Sequence, residues 1–268
     1  MMKKNRIWHI LILIIFLVFL DAYLLYAMVT EDKKSPEITC NSQEITVSVD
    51  ATDDELLEGV TAIDNRDGDV TDSVVIESIS AFAGDERIIV YAAVDQKGNV
   101  GRAQRVLKYT DYEEPRFELG APLRFSIGSS PDLMQDVTAS STLDGDLTSK
   151  VKYSLASGID RSSEGTYEVE YRVSDSAGTT SYLPVTIELY NPNYETGTIE
   201  LSDYLVYVKK GKTFNAKSYF KDSSVDGSLE IDSDVDTDTE GVYTVDYTVT
   251  DEEQRTGKSR LVVVVVGS

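Results

Sequence analysis

GTYEVEYRVSDSAG, residues 165–178, reads as a β-strand running into a tight turn. Tyr167, Val169, Tyr171 and Val173 fall on one side, and Glu168, Glu170 and Arg172 on the other. Period two with one apolar face is the pattern of a strand packed on a core from one side only. The pattern occurs twice more. GVYTVDYTVTDEEQ (241–254) sets Tyr243, Val245, Tyr247 and Val249 against Thr244, Asp246 and Thr248. RIIVYAAVDQKGN (87–99) keeps Ile89, Tyr91 and Ala93 at the matching places.

Working outward, the neighbouring sequence repeats as well. Leu56–Thr71, LLEGVTAIDNRDGDVT, matches Leu133–Thr148, LMQDVTASSTLDGDLT, through Val-Thr-Ala, an equal gap, Asp-Gly-Asp and a hydrophobe-Thr pair. Lys217–Glu230, KSYFKDSSVDGSLE, is a worn third copy. Each unit closes on a last strand: RAQRVLKY, YLPVTIEL and RLVVVVV. Units of about 80 residues suit a small sandwich, and no stretch beyond the N-terminal segment carries a helical period. The expectation is an all-β chain of three tandem immunoglobulin-like (Ig-like) β-sandwich domains after an N-terminal transmembrane helix. Its boundaries are a cytoplasmic tail 1–6, a signal-anchor 7–29, a linker 30–35, and domains at 36–114, 115–192 and 193–268. Pro115 and Pro192 stand at the two junctions, and short proline-bearing linkers should join the domains stiffly end to end.

These motifs resemble the bacterial Ig-like domains of cell-surface proteins. The type includes one first described in pesticidal crystal proteins, and it is similar to hyalin-repeat modules. The resemblance covers roughly residues 36–268 and departs at Arg87, which replaces the tyrosine of the Gly-Thr-Tyr signature, and at Ser228, which replaces the second aspartate of Asp-Gly-Asp. It implies surface display, adhesion or spacing of other modules, and it carries no enzymatic activity with it.

At the N-terminus, Lys3, Lys4 and Arg6 precede an apolar run from Ile7 to Leu20, which resumes from Tyr23 to Val29 after Asp21 and Ala22. A helix of about 21 residues spans roughly 31 Å, the thickness of a bilayer's hydrocarbon core. The basic flank places the N-terminus in the cytoplasm and the body outside. Cleavage after Ala27 would put Leu25 where a signal peptidase prefers a small residue, so an uncleaved anchor is favoured over a secreted form. Asp21 would be a costly group in lipid unless hydrated, protonated or paired with a partner helix. With a net charge of −22, the chain should repel nucleic acid. Cys40 is the one cysteine, so no internal disulfide staples the domains.

The Asp-Gly-Asp turns raise a calcium hypothesis, since calcium takes several carboxylate and carbonyl oxygens around a tight turn. Candidate ligands are Asp64, Asp67, Asp69 and Asp95 in the first unit and Asp144, Asp146 and Asp175 in the second. A different acidic run, Asp226, Asp232, Asp234 and Asp236, lies in the third. The competing reading is ordinary turn chemistry, in which aspartate bonds its own backbone. The single histidine, His9, lies in the N-terminal segment, which leaves the body without the usual general base or zinc ligand. The chain is therefore read as a non-enzymatic scaffold or spacer for an envelope or extracellular protein. The alternatives are an adhesin for a surface glycan, and an accessory subunit held in a membrane complex through Asp21. The third unit is read as the distal tip.

Overall fold

Alternating burial follows the alternating sequence. Along Arg87–Val94 in this computed structural model, Ile89, Tyr91 and Ala93 are fully inside, as are Val169, Tyr171 and Val173, and Val245, Tyr247 and Val249 in the other copies. The structure describes residues 2–267, without the side chains of residues 2–7, Ile10, Ala27, Val29 and Thr30. The chain is all-β beyond the helix Met2–Thr30, apart from one four-residue helical turn, Asp53–Leu56, and three short 3₁₀ turns.

The first repeat has two sheets. One orders Glu37–Cys40, Val60–Asp64 and Gly68–Asp69; the other orders Glu44–Val47, Val100–Tyr109, Arg87–Val94 and Val75–Ile79. The second repeat has the same plan. Arg116–Leu119, Val137–Ser141 and Gly145–Asp146 form one sheet, and Arg124–Ser126, Thr180–Tyr190, Gly165–Ser174 and Lys152–Leu155 the other. In the third, Gly197–Leu201 pairs in parallel with the start of Thr256–Val266, so that its strands join into one six-stranded sheet. Leu205–Lys209 runs parallel along the far end of that same long strand.

By contact the chain divides into two compact units. The first holds 1–47, 51–80 and 85–108; the second holds 48–50, 81–84 and 109–268. The second unit thus contains both later repeats. Leu205 and Val262 of the third repeat are buried in the same apolar cluster as Phe117, Val169 and Ile187 of the second. The stiff end-to-end joint expected from Pro192 is therefore a packed interface. At about 25 cal/mol for each Å² of apolar surface removed from water, such a shared core couples the two repeats.

One device recurs in all three repeats. Tyr91, Tyr171 and Tyr247 are fully buried, and each hydroxyl donates to a main-chain carbonyl: Leu56 at 2.8 Å, Leu133 at 2.6 Å and Ala216 at 2.6 Å. A buried phenol needs such a partner, and the bond pins the preceding loop to the central strand. Arg87, the departure from the tyrosine signature, is itself buried, and its Nε donates to the Ser80 carbonyl at 2.6 Å. The tyrosines at its place, Tyr167 and Tyr243, donate to the Asp160 and Thr239 carbonyls.

Candidate functional site

Four residues beyond each buried tyrosine, the strand ends in aspartate: Asp95, Asp175 and Asp251. All three are buried. Each caps its own turn. Asp95 Oδ1 accepts the N–H groups of Lys97 and Asn99 at 2.8 Å, Asp175 Oδ1 that of Thr179 at 2.9 Å, and Asp251 Oδ1 those of Glu253 and Arg255 at 3.0 and 2.8 Å. The turn's fourth residue takes a left-handed conformation, which Gly98 and Gly178 adopt at φ 87° and Gln254 at φ 61°.

The second carboxylate oxygen meets a different partner in each repeat. Arg255 Nε donates to Asp251 Oδ2 at 2.6 Å, which brings a full positive charge. In the second repeat the Tyr112 hydroxyl donates to Asp175 Oδ2 at 2.7 Å, and burial keeps that phenol protonated by raising its pKa. In the first repeat the Asn99 side-chain amide donates to Asp95 Oδ2 at 2.6 Å, and two further carboxylates converge, Asp32 and Asp64.

Asp32, Asp64 and Asp95 are exposed by only 7%, 3% and 6%, and each offers one oxygen within 4.8 Å of the others. Asp64 Oδ1 accepts the N–H groups of Arg66 and Asp67 at 2.7 and 2.9 Å, while its Oδ2 is buried with no hydrogen-bond partner. Asp32 comes from the segment that follows the N-terminal helix. Its Oδ1 accepts the Lys34 N–H at 3.2 Å, and its carbonyl accepts the Asn99 amide at 3.3 Å. The Arg66 guanidinium, half exposed, lies 3.7 Å from Asp32 Oδ2. The N–H of Asp67, then that of Arg66, hold the Asp64 carboxyl below its ordinary range, against burial and the charge of Asp95. Burial opposes ionisation of Asp95, but the donors of Asn99 and Lys97 outweigh it and lower its pKa. These two carboxylates are thus charged at neutral pH.

The other predicted ligands are not among the three clustered carboxylates. Asp67 Oδ2 accepts the Gln96 N–H at 2.8 Å. Asp69 and Asp146 each accept the N–H of the threonine two residues on, Thr71 at 2.9 Å and Thr148 at 2.8 Å. Asp144 takes the N–H and hydroxyl of Ser176, with Lys150 Nζ at 3.9 Å. Asp175 is bonded to Tyr112. In the third repeat Asp234 and Asp236 accept backbone N–H groups from Thr244 and Asp238. The structure therefore brings Asp64 and Asp95 together and adds Asp32, which the sequence reading did not single out. A signal for the site was present: Asp64 stands where the second repeat has Ser141.

A second feature lies in the larger unit. The side chain of Arg124, 5% exposed, bonds Glu188 at 3.0 Å and Glu195 at 2.6 Å, and it also donates to the Lys258 carbonyl. Its guanidinium lies 5.1 Å from the centre of the Tyr190 ring. These groups line a polar groove of about 450 Å³ with Tyr194 at its rim, 77% exposed. Arg124 is paired in full, so the groove presents hydrogen-bonding groups rather than a free cation.

Over 211 residues, 72% of this chain, the sequence is 28% identical to the pesticidal crystal protein Cry22Aa of Bacillus thuringiensis. The chain spans 28% of that relative's length. Among solved structures, a Clostridium perfringens ZmpB structure of the M60 catalytic domain with CBM51-1 and CBM51-2 is 12% identical, covering 87% of this chain and 31% of that one, with a TM-score of 0.23. Drosophila N-cadherin EC1-4 is 16% identical, covering 77% and 63%, also with a TM-score of 0.23. The family model for the Ig-like domain of bacterial surface proteins matches twice, once in each of the two later repeats. Residues 121–188 and 201–264 are therefore two tandem domains of the bacterial surface protein Ig-like family.

Proposed function

We propose that this chain is a membrane-anchored surface protein whose three Ig-like sandwiches, 36–114, 115–192 and 193–268, form a scaffold that engages an envelope or extracellular protein. The observation that carries the reading is the N-terminal helix. Met2–Thr30 is 29 residues long, and its described side chains from Leu11 to Leu20 are all apolar and exposed. An apolar helix is stable only when something apolar surrounds it, and the described side chains from Leu11 to Tyr26 are all exposed. The unbroken run of described side chains, 11–26, is shorter than a bilayer requires, and among the described residues no helix is long and apolar enough to cross a membrane. The anchor thus rests on the full sequence from Ile7 to Ala27. The body is read as non-catalytic and strongly anionic, suited to recognition through loops and sheet edges rather than to nucleic acid.

The direct test is affinity capture with the full chain in detergent micelles, offered solubilised envelope proteins and cell-wall polysaccharides separately, with calcium and with chelator. Saturable retention of one protein is the expected result. Retention of polysaccharide alone favours the adhesin reading, for which the groove beside Tyr194 is the natural place. Retention lost only when the helix is replaced by another apolar sequence favours a complex subunit held through Asp21.

A further inference from the structure

We propose that Asp32, Asp64 and Asp95 form a calcium site that fastens the segment after the N-terminal helix onto the first repeat. The inference does not depend on the nature of the protein's partner. It rests on three observations. Oxygens that share one calcium ion at 2.3–2.6 Å cannot lie more than about 5 Å apart, and these three carboxylates meet that bound, with oxygens within 4.8 Å of one another. Asp64 Oδ2 is buried and has no partner, although its residue is 3% exposed. A buried carboxylate oxygen without a donor is costly, and a cation in the cluster would complete it.

The third observation is the comparison between repeats. The same strand-end aspartate is satisfied by the Arg255 guanidinium in the third repeat and by the Tyr112 hydroxyl in the second. In the first repeat the Asn99 amide takes that place, and two more acids, Asp32 and Asp64, stand beside it. Arg66 sets one positive charge 3.7 Å from Asp32 against three carboxylates. The balance is negative, as a divalent ion would need. An all-oxygen donor set with neither histidine nor thiol favours a hard cation over zinc, and three carboxylates in one cluster suit calcium better than magnesium, which keeps several waters and takes one or two carboxylates. Water would supply the remaining ligands. Asp64 ends the strand Val60–Asp64 and Asp95 directly follows the strand Arg87–Val94, whereas Asp32 lies between the helix and the strand Glu37–Cys40. A shared ion therefore ties that connecting segment to the first repeat, and affinity in the range of extracellular modules, about 10⁻⁴–10⁻³ M, is expected.

The test is calorimetric titration of the full chain, in micelles and stripped with chelator, using calcium chloride. One saturable site per chain is expected. Asp32→Asn and Asp64→Asn should each weaken binding at least about tenfold. Asp32 lies outside the sheets, so its variant keeps the test valid if Asp64→Asn fails to fold. Asp69→Asn and Asp146→Asn should bind as the parent does. Calcium should also slow tryptic cutting at Lys33 and Lys34, and Asp32→Asn should abolish that protection. Absence of saturable heat up to about 10 mM calcium overturns the proposal. So does binding that survives Asp32→Asn, binding lost in Asp69→Asn, or magnesium chloride titrating as tightly as calcium.

Discussion

Tyr247 shows how much one hydroxyl does in each repeat. Its ring is enclosed, its O–H reaches the Ala216 carbonyl at 2.6 Å, and burial pushes its pKa from 10 up to about 12. Removing the hydroxyl with Tyr247→Phe should cost about 1 kcal/mol in urea unfolding, because a carbonyl loses its donor. The sign of the pH effect follows from the direction of the shift. The raised phenol contributes its full stabilisation below pH 10 and loses it as pH climbs through about 12, so the alkaline fall in stability should be shallower in Tyr247→Phe. Gln254 is the opposite case, a side chain in a left-handed position that Gly98 and Gly178 occupy in the other repeats. Gln254→Gly should stabilise by up to about 1 kcal/mol in the same assay. The tyrosines' inward face was legible in the sequence, because alternation of type and burial coincide. The Asp32 contribution was not. It lies 32 positions before Asp64, in a linker without a counterpart motif, and only folding brings the two together.

Strands were legible where one face is apolar, and less so where two repeats share a core. Leu205 and Val262 look like ordinary inward residues of the third repeat, yet they are buried with Phe117 and Ile187 of the second. Period-two patterning reports that a face is covered, not by what. Arg124 escaped notice for the same reason. A lone arginine on a short strand carries no signal of burial, and its partners, Glu188, Glu195 and the Lys258 carbonyl, are distant in sequence. Breaking a buried ion pair by removing one member is strongly destabilising. Arg124→Ala should therefore cost about 3 kcal/mol in denaturant unfolding and weaken the cooperativity of the two later repeats. An unchanged midpoint would show the network to be superficial. The Asp-Gly-Asp turns were legible as turns, and Asp69 and Asp146 take matching positions before Thr71 and Thr148.

For the molecule as a whole, the sequence supplied the all-β class, the repeat and the surface family, because repetition and alternation survive divergence. The domain family is matched in the two later repeats, and the first repeat shares the strand order of the second. A net charge of −22 suits a protein that works surrounded by water. Deleting residues 7–27 should move the chain from the membrane pellet to the soluble fraction, as read by carbonate extraction and immunoblotting. The central claim, surface display from an anchored helix, is tested most directly by protease shaving of intact bacterial cells that express the full chain. The account predicts that externally added protease removes the sheet-bearing body while a short helix-bearing fragment stays with the membrane. A body that resists digestion until the cells are lysed would contradict it.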